Sequence, residues 1–236
     1  MEIFTFGVAK LPASQSLSAL LRPPTQAAVP GLVHAECMTA MRLGAAILSP
    51  DRLQLRNFAM FAAWENEAAI DDFLAQTSLG QPLGTGWHLR MSFLRRWGSV
   101  RELADLPELV EEGDPQAPVA AYTLARMKIP ELPRFIRYGR PVEELVRDHP
   151  ESTLAMAAIR YPRSVATFSI WTSQQAMTEM VKGNSPVERP ERHPRAMKEY
   201  DRRSFHHEFA TMRFKPLSEH GTWQGRSGYV PLIQPA

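Results

Sequence analysis

A single cysteine, Cys37, occurs in the whole sequence, which excludes an intramolecular disulfide and any multi-cysteine zinc or iron–sulfur site. Excess charge of either sign is also missing. The 27 Lys and Arg are intermixed with 25 Asp and Glu, leaving a formal net charge of +2, so no nucleic-acid footprint exists despite a pI near 8.8. No apolar run approaches the roughly 18 residues of a membrane span, and residues 1–10 lack the basic region of a signal peptide. His-Glu-x-x-His, Gly-x-Ser-x-Gly, a Ser-His-Asp order and a phosphate-binding glycine fingerprint are all absent. The expectation is a soluble, cytoplasmic protein of a reducing compartment, with no transmembrane segment and no nucleic-acid partner.

What is present is enough apolar material for a core, 44% of 236 residues, and 20 prolines that argue against a continuous coiled coil or solenoid. It is also repeated. Residues 58–64 (Phe-Ala-Met-Phe-Ala-Ala-Trp) and 165–171 (Val-Ala-Thr-Phe-Ser-Ile-Trp) each read as a strand ending in tryptophan, then a short polar turn, then an amphipathic helix. Superposing Trp64 on Trp171 gives an offset of 171 − 64 = 107, and Phe61 then meets Phe168, Ala69 meets Ala176, Ile70 meets Met177 and Phe73 meets Met180. Strand patterns at 2–10 and 119–127, a proline-initiated helix start at 130–138, strands at 153–160 and 164–171, and paired last strands at 87–97 and 205–214 complete the plan. The expected fold class is α+β: tandem ferredoxin-like β-α-β-β-α-β repeats forming an α+β barrel with a pocket between sheet and helices. The first repeat is expected over 1–102, the linker over 103–117, and the second repeat, carrying the site, over 118–236.

The stretch 183–194, with Pro186, Pro190 and Pro194, has no counterpart in the first repeat. It ends at His193, beside a helix expected to open with Pro194. An imidazole there either caps a helix or offers a lone pair to a metal or haem iron, and position alone leaves both open. Met197 and Tyr200 fall on the same helical face, four and seven residues on. His206 and His207 lie on a strand, so their rings point to opposite faces. Arg202, Arg203 and Arg213 suit carboxylates such as haem propionates, or else form a solvated basic face. Cys37 is either a thiolate ligand or a small buried hydrophobe.

At 165–171, the following Ala176-Met177, the 205–214 strand and the ending Gly221-Thr222-Trp223-Gln224-Gly225, the chain resembles the spheroidene monooxygenase family of carotenoid biosynthesis. The resemblance covers the second half and, more weakly, the first through Ala63-Trp64 and Ala68. It implies a dimeric α+β barrel type of fold, a haem (iron protoporphyrin) cofactor, and oxygen insertion into a hydrophobic polyene. A histidine near the start of the helix before the last strand is matched by His193, which makes His193 the implied metal ligand. The segment Arg189-Pro190-Glu191-Arg192 is longer and more charged than the family's, and His206-His207 stands where the family tends to have Arg-Glu, so an alternative ligand lies close by.

A haem-dependent monooxygenase acting on a hydrophobic small molecule is thus the leading expectation. Its cofactor-binding residues would be His193, Met197, Phe168, Met177, Phe209 and Arg213, with no catalytic residue assigned. An electron donor and a homodimer are the implied partners, and a lipid-soluble polyene would place the protein at a membrane surface. Haem-dependent dehydration or peroxide chemistry, a cofactor-free monooxygenase and a non-catalytic haem-binding barrel are the alternatives.

Overall fold

The computed structural model describes residues 2–44 and 54–232; residues 1 and 233–236, the outer limits of the two expected repeats, lie outside the described residues, as do 45–53. The chain runs β1 (Ile3–Lys10), α1 (Ala13–Leu21), β2 (Leu32–Met41), β3 (Asn57–Trp64), α2 (Glu67–Gln76), α3 (Gly80–Thr85) and β4 (Trp87–Ser99). It continues with β5 (Val119–Met127), α4 (Leu132–Asp148), β6 (Ser152–Arg160), β7 (Ser164–Trp171), α5 (Gln174–Lys182), α6 (Arg192–Arg202) and β8 (His206–Gly221). The strands close into one antiparallel barrel in the order β1-β3-β2-β6-β7-β5-β8-β4. Each half contributes four strands in the ferredoxin-like order β4-β1-β3-β2 or β8-β5-β7-β6. The halves meet at β2–β6, where Thr39 faces Ile159, and along β4–β8. Closure at β2–β6 rests on three residue pairs, Thr39–Ile159, Ala40–Ala158 and Met41–Ala157.

The internal repeat extends to the hydrogen bonds. Trp64 ends β3 and Trp171 ends β7, both fully buried on the outer face of the barrel. The helix that follows is capped in each case at the equivalent position: the Asn66 side chain accepts from the Ala69 N–H at 3.0 Å, and the Ser173 hydroxyl accepts from the Ala176 N–H at 3.1 Å. Asx and Ser side chains at this position satisfy donors that the first helical turn leaves unpaired.

Strand alternation sends one set of side chains inward. Phe6 stacks on Phe168 and Phe61 on Tyr122, both at 4.0 Å between ring centroids, so each stack joins one half to the other inside the lumen. The C-terminal segment seals one end of the lumen. Gly221, Gln224 and Gly225 take positive φ, which folds the chain back and packs Trp223 and Tyr229 into the lumen core. Glu219 holds the fold in place, accepting from the Trp87 indole at 2.8 Å and from the Tyr229 and Val230 N–H groups at 3.0 and 2.8 Å. The other end is polar: Glu36, 1% exposed, is paired with Arg126 and lies 3.6 Å from Arg160 and 3.3 Å from His34. Outside it, a charged cavity of about 340 Å3 is lined by Arg101, Glu102, Arg126, Arg163, His207 and Glu208. Among the described residues the lumen is filled by a packed aromatic and aliphatic core. Among the described residues no helix is long and apolar enough to cross a membrane.

Candidate functional site

The two helical layers outside the barrel differ in one respect. In the first half, α3 lies directly on β1 and β4, and the outward residues Cys37, Met60, Ala62 and Trp64 are sealed beneath α2 and α3 together with Ile70, Phe73 and Leu83. Burial lifts the Cys37 thiol to about 12, so no thiolate ligand forms there at neutral pH. In the second half the helix between α5 and the last strand is longer. This helix, α6, packs on α4 and α5, and none of its residues is buried. The outward residues of β5, β7 and β8 beneath it are small or polar and only half-buried: Ala121, Thr123, Thr167, Thr211 and Arg213. Cross-strand pairs order them into a lane, from Met127 facing His206, through Ala125–Phe209 and Thr123–Thr211, to Ala121–Arg213. The Thr123 and Thr211 hydroxyls share a hydrogen bond of 2.8 Å in its middle.

Above the lane, α6 begins at Arg192, two residues before the expected Pro194; that proline falls in the first turn, where its missing N–H costs no helical bond. Neither His193 nor any other side chain caps α6. Instead His193 Nδ1 lies 2.9 Å from the Val181 carbonyl, in the last turn of α5. A carbonyl only accepts, so Nδ1 carries the proton and Nε2 keeps its lone pair. Burial lowers the affinity of the ring for a second proton, against the opposing pull of that carbonyl, and the imidazole is neutral at pH 7. Tyr200, two turns on and on the same face as His193, reaches Phe209 and His206 on β8, with ring centroids 5.4 and 5.5 Å apart. That contact turns this face of α6 toward the sheet. Val181 meanwhile packs against the cluster that includes Val119 and Trp171, and Tyr200 stands over the His206 end of the lane.

Arg213 forms no ion pair among the described residues. Its guanidinium lies 4.8 Å from the ring centre of Trp97, whose ring also takes Arg95 at 4.3 Å. Burial, then repulsion by Arg95, pulls its pKa down to about 10, partly offset by Glu112, which leaves a cation in want of an anion. Met197 lies on α6 and is half-buried, on the face shared by His193 and Tyr200. Met177 is a packed core residue of α5 against Leu94, Val119 and Trp171. Phe168 differs from the other residues named with it: it faces the lumen, with Ala166 and Ile170, on the side of the sheet away from His193. Phe209 is on the lane. His207 is exposed and lines the charged cavity, while His206 is buried on the outer face. Sequence reasoning missed the Val181 carbonyl, a backbone group with no side-chain signature, and Phe135 of α4, which closes the far end of the lane against His206. Among the described residues no cluster of three or more His, Cys, Asp or Glu could hold a metal by side chains alone.

No protein-family model matches the chain. A spheroidene monooxygenase of Rhodobacter capsulatus is 27% identical over 183 residues, covering 72% of this chain and 71% of the relative. A spheroidene monooxygenase of Rubrivivax gelatinosus is 30% identical over 171 residues, covering 71% of this chain and 63% of that protein. The chain is similar to these spheroidene monooxygenases. These homologues support an oxidoreductase of the monooxygenase kind; against the second, the chain spans less than two thirds of the relative's length. Among solved structures, an aldoxime dehydratase in complex with butyraldoxime superposes with a TM-score of 0.51 at 11% identity, over 92% of this chain and 79% of that one, a likeness of fold alone. A ferredoxin-fold protein of Listeria monocytogenes related to antibiotic biosynthesis monooxygenases matches with a TM-score of 0.29 at 12% identity, over 90% of this chain and 95% of that one.

Proposed function

We propose that this chain is a haem-dependent monooxygenase acting on an elongated apolar small molecule, with the haem seated in the lane between β5, β8 and α6. The observation that carries the reading is the contrast between the two helical layers. In one, α2 and α3 bury the outward side chains; in the other, small and polar outward side chains stay half-buried beneath α6, which carries a neutral imidazole, and the row ends at a guanidinium without an ion pair.

The donor set fits the group. His193 would ligate iron through Nε2, because its Nδ1–H is committed to the Val181 carbonyl, an arrangement that fixes both tautomer and ring direction. Ligation requires the deprotonated nitrogen, and burial already supplies the neutral ring, so no proton has to leave at pH 7. Arg213 would pair with a propionate and so regain the charge partner it lacks. Met197 would give an apolar wall one turn from His193, and the Thr123–Thr211 pair leaves room at the sheet that bulkier side chains would fill. Haem supplies oxygen activation when bound, and insertion of one oxygen atom then calls for two electrons from an external donor. Spheroidene, named in both relatives, supports a lipid-soluble polyene as the substrate class, which would bring the protein to a membrane surface to load.

The test is titration of the purified protein with haemin, followed by the Soret band, for wild type beside His193→Ala, His206→Ala and His207→Ala, with circular dichroism to check folding. Loss of stoichiometric binding in His193→Ala alone, with an unchanged dichroism spectrum, is the expected result. Full Soret intensity in that variant would end the assignment.

A further inference from the structure

His206 is the buried group with the least explanation in the fold. Its side chain is 7% exposed, and neither ring nitrogen has a hydrogen-bond partner. Four aromatic rings box it in: Phe135 of α4 at 5.6 Å, Tyr200 of α6 at 5.5 Å, Phe205 at 5.9 Å and Phe209 at 5.1 Å, the last stacked on it. Lys128 is the charged group that acts on it, and its effect is the same as that of burial, to hold the ring neutral. A phenylalanine would fill such a box and leave no polar atom dry, so packing gives no reason for an imidazole here.

Other buried polar groups differ. His88 also has two unpartnered nitrogens, but it stacks on His220 in the sealed first half. The Tyr122 hydroxyl lies in the packed lumen beside the Glu36 and Arg126 charges. His206 adjoins the second-half helical layer with both ring nitrogens unpartnered, whereas His149 on the same half has its Nδ1 engaged by the Glu151 N–H. His206 stands at one end of the lane, with Arg213 some seven residues away along β8, a span of roughly 20 Å at strand rise. His193 lies seven residues from Tyr200 along α6, about 10 Å of helix. The lane is therefore longer than the part beneath His193, and its far end carries one imidazole among aromatic and aliphatic walls. Two of the four rings that cover it, Phe135 and Tyr200, are half-buried on helices that solvent reaches.

We propose that His206 binds the oxygen-bearing end of an elongated apolar ligand at the end of the lane away from the haem seat. This rests on the reading of the lane given above, with haem beneath His193 of α6. A neutral imidazole has one donor and one acceptor, so it serves a carbonyl oxygen through its N–H or a hydroxyl through its lone pair. The aromatic walls take the adjoining hydrocarbon. Neither ring nitrogen has a partner within the protein, and the ligand would supply one.

The experiment uses the haem-free, full-length protein and two polyene probes, all-trans-retinol and the same hydrocarbon without its oxygen. Binding is followed by polyene fluorescence and by quenching of tryptophan, for wild type, His206→Phe and His206→Gln, with thermal unfolding of each variant. Wild type should prefer retinol by about tenfold, the worth of one net hydrogen bond in a dry site. His206→Phe should bind both probes equally, and unfold at the same or a higher temperature, whereas His206→Gln should keep part of the preference because it keeps a donor and an acceptor. An undiminished retinol preference in His206→Phe would overturn the proposal. So would a clear fall in its unfolding temperature, because the imidazole would then be a structural requirement. Failure of wild type to bind either probe while it still takes up haemin through His193 would overturn this inference and leave the haem reading standing. Binding of retinol that depends on His206, in a protein that takes up no haemin, would do the reverse.

Discussion

Replacing Glu36 by glutamine removes the carboxylate that ties the two halves together at the polar end of the barrel. Glu36 lies on β2 of the first half; its partners Arg126 and Arg160 lie on β5 and β6 of the second. Desolvation opposes its charge, yet the bond from His34 and the two guanidiniums hold its carboxyl below 4.5 all the same. In Glu36→Gln, Arg126 keeps the Ser164 hydroxyl at 3.0 Å and a long contact of 3.4 Å to the partly exposed Glu102. Breaking a buried pair by removing one partner costs about 3–5 kcal/mol. Arg126 and Arg160 retain 14% and 27% side-chain exposure, so water relieves part of the stranded charge and the lower figure, about 3 kcal/mol, applies. That is a large share of the roughly 5–15 kcal/mol of a typical domain. Urea unfolding followed by tryptophan fluorescence measures it. The double variant Glu36→Gln, Arg126→Met should recover much of the loss, because the more buried of the two stranded cations is gone and only Arg160, which water reaches better, still faces the amide. The carboxyl's contribution should be complete above pH 4.5 and disappear as pH falls through its lowered value. A loss below about 1 kcal/mol in Glu36→Gln, or a double variant no better than the single, would refute the cross-barrel lock.

The repeat predicts equal penalties at equivalent caps: Asn66→Ala and Ser173→Ala should each cost about 1 kcal/mol and add in the double variant, because the sites share no partner. Differential unfolding of the three variants checks it. Acid should destabilise the protein well before its carboxylates titrate. Burial, with smaller repulsion from His220 and Arg90, pulls His88 down from 6.5 to about 4, and burial with Lys128 does the same to His206. The unfolded chain takes up those protons first, so stability present above pH 6.5 falls away between 6.5 and 4, by about 3 kcal/mol for each ring. Urea unfolding at stepped pH should show this slope, and His206→Phe should remove about half of it; a flat profile across that window would count against both burials.

Local pattern carried most of the architecture. Strand alternation, the strand–Trp–cap–helix series and its 107-residue recurrence are set by neighbours in the chain, so they can be read without knowing what lies across the barrel. The same local logic made His193, Met197 and Tyr200 share a helical face, and the Tyr200 contacts with β8 show what that face looks toward. Phe168 illustrates the limit. Its alternation with Thr167 and Ser169 separates two faces of β7 but does not say which is the lumen, and the choice is made by Phe6 and Trp87, more than 80 residues away. The first-half strand at Leu32–Met41 went unread because Glu36 interrupts its apolar run, and that charge is tolerated only where β5 and β6 bring two arginines to it. The difference between a sealed and an open helical layer is likewise a tertiary fact. The sequence marks 183–194 as an insertion, but only packing decides that α6 rests on α4 and α5, leaving Ala121, Thr123, Thr211 and Arg213 half-buried, with His193 turned by a backbone carbonyl and His206 without a protein partner beneath Tyr200. Contacts between residues far apart in the chain are set by how whole elements stack, and no local propensity encodes them.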